Sequence, residues 1–351
     1  MKSGLALLVV VVGLSALAGC EPPPQDSRFA IRNPNLKTPG QAKVLLTVDF
    51  QQGQTLQYKF LSSREIDLDW DPAKTASGSA KNTVNKFSES VEMIVAYTPV
   101  EVNPYGLTTI KATCKKVVAT RSKGTGGRPP TKDAVESFAG KTYALTVGPT
   151  GRIEDYSELN KLIQEIGKEP FREDSKAGRV KEPDMIGDFV ASQWFLWDSI
   201  SSIEKPTEGV SIGQTWRSKL SVPTPMVMRK ARDVTYRLSE IRQAGPERSR
   251  GDGKGGLAVI QSSYCPADSV PNGWPIPYSG KFQMTGTFGF LSGYQVMDLK
   301  GQGEELFNIE LGRIEQSNQQ YQMQLAASLP LPIGPGPRIT IKQKLSMQLL
   351  E

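Results

Sequence analysis

The sequence predicts a mainly antiparallel β fold of the α+β class. We expect two similar β-sheet units, half-barrel or barrel-like, with a two-helix insertion between them. Three observations support this prediction. Many segments alternate apolar and polar residues, as half-buried strands do. Short motifs recur in the same order in both halves of the chain. Two segments in the middle of the chain instead show helical periodicity.

The chain begins with the features of a secretory signal. Lys2 precedes an uncharged apolar run over residues 4–18, and small residues follow. This run of 15 residues is shorter than the roughly 20 that a membrane-spanning helix needs, so it favours a cleaved signal peptide.

We predict the following organisation: residues 1–19 signal peptide, 20–41 acylated cysteine and Pro-rich tether, 42–155 first β unit, 156–205 helical insertion, and 206–351 second β unit with the C-terminal strands.

The end of the predicted signal peptide contains a second sequence motif. The segment Leu17-Ala18-Gly19-Cys20 resembles the lipobox of bacterial lipoproteins. The resemblance implies that signal peptidase II cuts before Cys20, that its thiol carries a diacylglycerol, and that the new amino group is acylated. Two or three acyl chains, at about 0.8 kcal/mol per buried methylene, would hold the chain on a membrane. We therefore expect a lipid-anchored protein of the bacterial cell envelope, with its body in the periplasm or at the surface. By the same resemblance, Glu21 favours the outer membrane.

Composition narrows the chemistry. The net charge of +6 is a mild excess for 351 residues, so we expect no nucleic-acid partner. The chain has no histidine, which excludes Ser-His-Asp and Cys-His catalysis and histidine zinc ligation within it. Apart from Cys20, only Cys114 and Cys265 remain. They are the right number for one disulfide in an oxidising compartment, and the alternative is two buried free thiols. We predict no metal site, no cofactor and no catalytic residue.

The first β unit begins with candidate strands at residues 44–48 and 57–61. Residues 91–97 and 107–114 flank the turn sequence Asn103-Pro104-Tyr105-Gly106 and predict a hairpin. Residues 65–71 alternate strictly, with acids on one face. Those acids, Asp67, Asp69 and Asp71, copy the start of a calcium-binding EF-hand loop. Pro72 stands where that loop needs glycine, so a solvated strand face is the favoured interpretation.

Two helices are predicted after the first unit. Leu159, Leu162, Ile163 and Ile166 fall at helical spacing, with Asp155 or Ser157 as the N-terminal cap and Gly167 as the stop. A second helix is expected from about Asp184 to Ile203. Its apolar residues cover more than one face, so it should be well buried.

The second half of the chain repeats the first in outline. Gly53-Gln54-Thr55 recurs as Gly213-Gln214-Thr215, and residues 107–114 recur as 257–265. Likewise Phe138-Ala139-Gly140-Lys141 recurs as Tyr278-Ser279-Gly280-Lys281, so the offset is roughly 140 to 160 residues. The repeat would place Cys114 and Cys265 at related positions, which makes a bridge between the units attractive. Coincidence among glycine-rich β sequences is the alternative.

The body of the chain, residues 41–351, resembles a group of bacterial lipoproteins of unknown function. The likeness rests on the lipobox, the strand-rich body, the segment Leu145-Thr146-Val147-Gly148-Pro149-Thr150-Gly151 before a helix, and the segment Val210-Ser211-Ile212-Gly213-Gln214-Thr215-Trp216. It implies location and architecture only, because the family supplies no catalytic residues to carry over.

Three functions remain open. The first is a non-enzymatic envelope lipoprotein that binds a hydrophobic ligand or a protein partner. The second is a structural or assembly component of the envelope. The third is a hydrolase that uses carboxylates alone, such as a glycosidase, with Glu154, Asp155, Asp184 and Asp188 as candidates. Acids near helix starts are usually caps, which disfavours the third function. An apolar cavity would favour carriage of a ligand, and a filled core would favour a scaffold.

Overall fold

The computed structural model describes residues 43–77, 84–122, 132–169, 171–172, 179–181, 184–226, 230–243, 256–271, 274–275, 282–284, 286–329 and 336–350. In chain order the strands are β1 Lys43–Val44, β2 Leu56–Asp69, β3 Val84–Val102, β4 Thr108–Arg121, β5 Thr142–Val147, β6 Ile153–Asp155, β7 Phe171–Arg172, β8 Arg179–Lys181, β9 Val210–Ser211, β10 Thr215–Ser221, β11 Ala231–Gln243, β12 Gly256–Pro266, β13 Phe282–Met284, β14 Ser292–Asn308, β15 Arg313–Ser328 and β16 Arg338–Leu350. The α-helices are α1 Pro72–Ala76, α2 Ser157–Ile166, α3 Ile186–Phe195, α4 Asp198–Ser201 and α5 Gly286–Phe290.

One antiparallel sheet of eleven strands dominates the fold, as the sequence predicts. Its spatial order is β10-β11-β12-β14-β15-β16-β2-β3-β4-β5-β6. The two halves of the chain therefore do not form separate sheets, because they join where β16 pairs with β2. The sheet is open, with β10 and β6 at its edges, so the barrel-like version of the prediction is not formed by the described strands. Short strands make a two-stranded sheet, β1-β9, and a three-stranded one, β13-β8-β7.

Several predicted elements merge or divide in the structure. The segments expected at 57–61 and 65–71 belong to the single long strand β2. The predicted hairpin is confirmed, because β3 pairs antiparallel with β4 around the expected turn. In that turn the Asn103 side chain accepts hydrogen bonds from the backbone N–H groups of Tyr105 and Leu107, both at 2.9 Å. The expected strand at 44–48 is reduced to the two residues of β1.

The helices lie against one face of the sheet. Helix α2 ends at Ile166 as predicted, and the Asp155 carboxylate accepts the Ser157 backbone N–H at 3.0 Å. The second predicted helix divides into α3 and α4 on either side of Leu196 and Trp197. Helix α3 is buried almost all round, as its apolar pattern predicts. Within the described part of the chain, no helix combines the length and the apolarity needed to cross a membrane.

The internal repeat is visible in the backbone. Gly53 and Gly213 both have positive φ angles, 81° and 89°, which glycine adopts at little cost. Their N–H groups donate to Pro99 and Leu238 at 2.8 and 2.7 Å. In each half a β-bulge follows at that acceptor, between Pro99 and Glu101 and between Leu238 and Glu240. The strands β2–β3–β4 and β10–β11–β12, which we call the first and second meanders, therefore share one frame.

Strand pairing within this frame defines equivalent positions. Leu56 pairs with Tyr97 three residues after Gly53, and Trp216 pairs with Tyr236 three residues after Gly213. Immediately before the bulges, Pro99 pairs with Ile110 and Leu238 with Ile260. Counting on four residues makes Cys114 equivalent to Tyr264. The second copy of the glycine-lysine motif, residues 278–281, lies outside the described residues.

Candidate functional site

The two faces of the sheet centre differ in chemistry. On the face that the helices cover, the strand ends are apolar but the middle is polar. The buried polar residues of this middle band are Ser62, Arg64, Arg232, Ser262, Glu305, Ser317, Gln319 and Gln343. On the opposite, outer face, the alternate side chains line open grooves. Each face is therefore a candidate for function.

Arg64 fastens helix α3 to the sheet. Its guanidinium donates to Glu89 Oε2 at 2.6 Å and to Asp188 Oδ2 at 2.8 Å, and Asp188 lies in α3. Ser62 Oγ donates to Asp188 Oδ1 at 2.6 Å. Burial opposes the charged form of Arg64, but the carboxylates of Asp188 and Glu89 outweigh it and raise the Arg64 pKa. Arg64 thus binds two carboxylates, Glu89 and Asp188, and we interpret this buried ion-paired cluster as structural.

Arg232 lies inside an aromatic cage. Its guanidinium carbon is 4.9, 4.3 and 4.7 Å from the ring centroids of Phe195, Tyr264 and Tyr321. One guanidinium nitrogen donates to Gln319 Oε1 at 2.7 Å. Stacking on aromatic faces stabilises a desolvated cation. A side chain on Gly303, which faces the cage from β14, would collide with the Tyr264 hydroxyl, so the cage depends on that glycine.

Helix α4 is held by two acids with displaced pKa values. Asp198 accepts hydrogen bonds from Ser218 Oγ at 2.8 Å and from Tyr236 Oη at 2.7 Å. Ser199 Oγ donates a short hydrogen bond to Glu305. Burial raises the pKa of Asp198 to about 6 and that of Glu305 to about 8. The helix-covered face thus contains ionisable groups, and the hydrogen bonds of Asp188, Asp198 and Glu305 join α3 and α4 to the sheet.

The helix-covered face leaves little free space near this band. An apolar cavity of about 20 Å³ lies between α3 and the sheet, and its apolar lining includes Phe60, Met93, Phe195, Leu345 and Met347. That volume holds about one water molecule. The side of the sheet where a buried ligand was expected is therefore nearly filled at this point.

The outer face carries the larger spaces. A groove of about 650 Å³ crosses the five neighbouring strands β12, β14, β15, β16 and β2. Grooves of about 460 and 350 Å³ adjoin it on either side of Lys344, which lines all three. We call these three spaces together the outer groove. The volume of each section lies within the range of about 300–1,000 Å³ that is typical of ligand-binding clefts.

The floor of the outer groove is a polar array set by strand register. A row of seven outward side chains runs across seven neighbouring strands, one from each strand and each directly opposite the next: Ser263, Gln302, Gln320, Lys344, Ser63, Ser90 and Thr120. Along β15 the outward positions carry only amides over nine residues: Gln316, Asn318, Gln320, Gln322 and Gln324. Hydroxyl and amide groups both donate and accept hydrogen bonds. The groove therefore presents many hydrogen-bonding groups and few apolar ones.

The predicted cysteine sites have separate outcomes. Cys20 lies outside the described residues, so its lipidation stays a prediction. Cys114 is a free, buried thiol, and burial raises its pKa to about 12. The predicted bridge from Cys114 to Cys265 is therefore not formed. The repeat runs along the sheet, so β4 and β12 are six strands apart, and a disulfide needs Cα atoms within about 7 Å.

The candidate carboxylates do not form a reactive pair. Tyr156 is the N-cap residue of α2, so the predicted cap at Asp155 or Ser157 is wrong by one position, although Asp155 accepts the backbone N–H of Ser157. Glu154 beside Asp155 is exposed. Asp184 accepts the Ile186 backbone N–H at 3.0 Å at the start of α3, and Asp188 is bonded to Arg64. Asp155 and Asp184 thus bind backbone N–H groups at helix starts, Asp188 is an ion-pair partner and Glu154 is exposed, and none of the four faces another across a cleft within the described residues.

The acids of the calcium alternative also have a structural role. Asp69 Oδ1 accepts the Asp71 backbone N–H at 3.1 Å and the Thr75 hydroxyl at 3.0 Å, so it helps to start α1. No group of three potential ligands for a metal ion occurs in the part of the chain that the structure describes.

Comparison with known proteins gives limited information. No protein-family model and no curated protein sequence matches the chain. A structure of lipovitellin that describes its lipid–protein interactions matches with a TM-score of 0.39 at 10% identity, over 86% of this chain and 26% of that one. The outer membrane protein OprG from Pseudomonas aeruginosa matches with a TM-score of 0.16 at 7% identity, over 86% and 96%. This chain spans about a quarter of the lipovitellin chain, and neither TM-score is high enough to carry an argument.

Proposed function

We propose that this protein is a non-enzymatic, lipid-anchored envelope lipoprotein of the group it resembles, and that it binds a polar partner in the outer groove. The observation that carries the proposal is the groove itself. Its main section of about 650 Å³ crosses five adjacent strands, and strand register fixes its floor of hydroxyl and amide groups.

The anchor supports this placement. The lipobox around Cys20 implies acylation, and residues 20–42 precede the first described strand. Twenty-three residues can span up to roughly 75 Å when extended, and prolines at five positions favour extended backbone. The body would hang from the membrane at a distance that leaves the outer groove open to large envelope components.

The binding role is favoured over catalysis because of what the ionisable groups do. The chain has no histidine, and the four candidate acids bind backbone N–H groups at helix starts, form an ion pair or are exposed. A binding protein needs no reactive centre, whereas a carboxylate hydrolase needs two acids that face one substrate bond.

A hydrophobic ligand is the second candidate function. The apolar cavity beside Phe195 favours it, because the side chains that line this cavity include Phe60, Met93 and Met347. At about 20 Å³ the cavity would admit an acyl chain only after α3 moves away from the sheet. Native mass spectrometry of protein purified from its own membranes would reveal a bound lipid if this function is correct.

A site-directed crosslink tests the groove function. A photoreactive benzoylphenylalanine replaces Gln320, in the floor of the groove, or Lys161, which is exposed on α2. After irradiation of intact cells, we expect an adduct from position 320 and none from position 161. Equal adducts from both positions, or none from either, would contradict binding in the groove. Loss of envelope integrity on deletion of the protein, together with no adduct from position 320, would favour the scaffold alternative.

A further inference from the structure

Lysine side chains are concentrated in one section of the outer groove. The 460 Å³ section is lined by Lys300, Lys342 and Lys344 with amide and tyrosine neighbours, and no acid lines it. Lys300 forms an ion pair with Asp298 at 3.1 Å. Among the described residues, neither Lys342 nor Lys344 has an ion-pair or hydrogen-bond partner. This section therefore presents unbalanced positive charge to whatever enters it.

The charged section continues into hydroxyl-lined sections. Lys344 is directly opposed to Ser63 on β2 and to Gln320 on β15, and these three side chains lie in the seven-strand polar row. The section on the β3 side is lined by serine and threonine hydroxyls next to the same two lysines, and also by Arg64, Glu65 and Glu89. Glu89 is bonded to Arg64 and Arg121. Glu65 on β2, directly opposite Lys342, is therefore the acid of this section that has no cation partner among the described residues. A ligand that lies across the strands would thus meet hydroxyls, then ammonium groups, then amides.

The same face lacks what a protein interface normally has. The core of a protein–protein interface is enriched in aromatic residues and methionine and depleted in lysine and serine. Along the 650 Å³ section the large apolar side chains are Leu61 and Leu345, and no aromatic side chain lines it. A ligand rich in hydroxyl groups fits this lining better than a folded protein or a peptide does.

We propose that the outer groove binds an extended anionic polysaccharide, with its carboxylate or phosphate groups against Lys342 and Lys344 and its hydroxyls on the amide and hydroxyl floor. The inference rests on the proposed groove function and names its ligand class. Recognition then has two parts, a salt-sensitive contact with the lysines and a neutral hydrogen-bonding contact with the Gln320 row.

Binding of defined polymers to the purified mature protein tests the class. The probes are polygalacturonate, neutral dextran and poly-L-glutamate, with titration calorimetry as the measurement. We expect polygalacturonate to bind, and dextran and poly-L-glutamate to bind at least about tenfold more weakly. Equal binding of poly-L-glutamate would show that charge alone is recognised and would overturn the glycan class. Failure of polygalacturonate to bind would overturn it too.

Matched variants locate the contact. Loss of one exposed charge contact is worth about 1 kcal/mol, so we expect Lys344→Gln to weaken polygalacturonate binding about fivefold and the double change with Lys342→Gln to weaken it more. Lys111→Gln, on the exposed outer side of β4 but outside the grooves, is the control and should change nothing. Equal loss in the control variant would mean non-specific attraction and would overturn the site.

The neutral contact needs its own test. Gln320→Ala removes an amide but no charge, and it should also weaken binding of polygalacturonate by a few-fold. Unchanged binding in this variant would mean that the site recognises charge alone, and it would contradict recognition of a glycan. A crosslink from position 320 to a component that contains no sugar would leave the groove function standing and remove only the ligand class.

Discussion

The two meanders share a backbone frame but hold the helical segment by different chemistry. Tyr97 and Tyr236 occupy equivalent positions, and each phenol reaches the helices. Tyr97 donates to the neutral amide of Gln193 in α3 at 2.6 Å, whereas Tyr236 donates to the carboxylate of Asp198 in α4 at 2.7 Å. Each meander therefore seats one helix. The two tyrosines occupy equivalent backbone positions, but the groups that accept their hydrogen bonds differ in charge.

The acids behind these contacts differ in the same way. Asp188 in α3 faces a guanidinium, Arg64, on the first meander. Asp198 in α4 faces hydroxyls of Ser218 and Tyr236 on the second. An acid beside a cation is stabilised in its charged form, but a buried acid with only hydroxyl partners binds its proton more tightly. One helix is thus fixed by an ion pair, and the other by contacts that depend on pH.

The largest effect is expected when the ion pair is broken. Asp188→Ala leaves Arg64 buried with Glu89 as its remaining ion-pair partner, and loss of one member of a buried pair costs about 3–5 kcal/mol. Urea unfolding at pH 7 measures this loss. Glu154→Ala, at an exposed position, is the control and should cost less than about 0.5 kcal/mol. A loss below about 1 kcal/mol for Asp188→Ala would mean that α3 is seated by apolar packing alone.

The stability that comes from the contacts of α4 should depend on pH. The folded-state pKa of Glu305 is raised to about 8, so between its ordinary pKa and pH 8 the folded state binds more protons than the unfolded state. Stability therefore falls as pH rises through that window, by at most about 1.4 kcal/mol per pH unit. Glu305→Gln keeps an acceptor for Ser199 without the titration. Its stability relative to the wild type should rise from pH 5 to pH 8, and parallel curves for the two proteins would contradict the raised pKa.

The equivalent tyrosines provide a matched pair. Tyr236→Phe removes a hydrogen bond to a carboxylate, which costs about 1.5–3 kcal/mol, and Tyr97→Phe removes one to an amide, which costs about 0.5–1.5 kcal/mol. Gln193 also keeps the Tyr143 hydroxyl, which donates to it at 2.6 Å. Thermal unfolding at pH 7.5, where Asp198 is charged, should show the larger loss for Tyr236→Phe. An equal or reversed order would show that the acceptor's charge does not matter here.

The smallest expected effect concerns the thiol of the first meander. Cys114 is buried and its pKa is raised to about 12, so hardly any thiolate is available to a reagent at pH 8. Peptide mapping after treatment with iodoacetamide should find Cys114 unlabelled in the folded protein and labelled after denaturation. Labelling under native conditions would mean that the β4 region opens.

The sequence predicted those features that depend on local pattern. The patterns at residues 57–61 and 65–71 placed the two ends of β2 without showing that they form one strand, and the turn at residues 103–106 was enough to place the β3–β4 hairpin. The alignment of Cys114 with Cys265 was one residue off, and strand pairing moves the equivalent position to Tyr264. Helix periodicity also could not show the break at Leu196 and Trp197, because apolar residues continue through it.

The site depended on long-range pairing, which no local pattern encodes. Arg64 follows Ser62 and Ser63, so the sequence of this strand segment is polar on both faces. Asp188, the ion-pair partner that stabilises buried Arg64, lies more than a hundred residues away in the chain. The amides along β15 are visible in the sequence as every second residue from Gln316 to Gln324. Their position beside Lys344 and Ser63 was not, because only the fold shows that β16 lies between β15 and β2.

The central claim is that this body works while fastened to a membrane through Cys20. The mass of the N-terminal peptide, measured on protein extracted from bacterial membranes without reduction, tests it most directly. We predict a peptide that begins at Cys20 and carries the added mass of a diacylglycerol and an amide-linked acyl chain. A peptide that begins at Met1, or a Cys20 without lipid, including one joined in a disulfide to Cys265, would contradict the account.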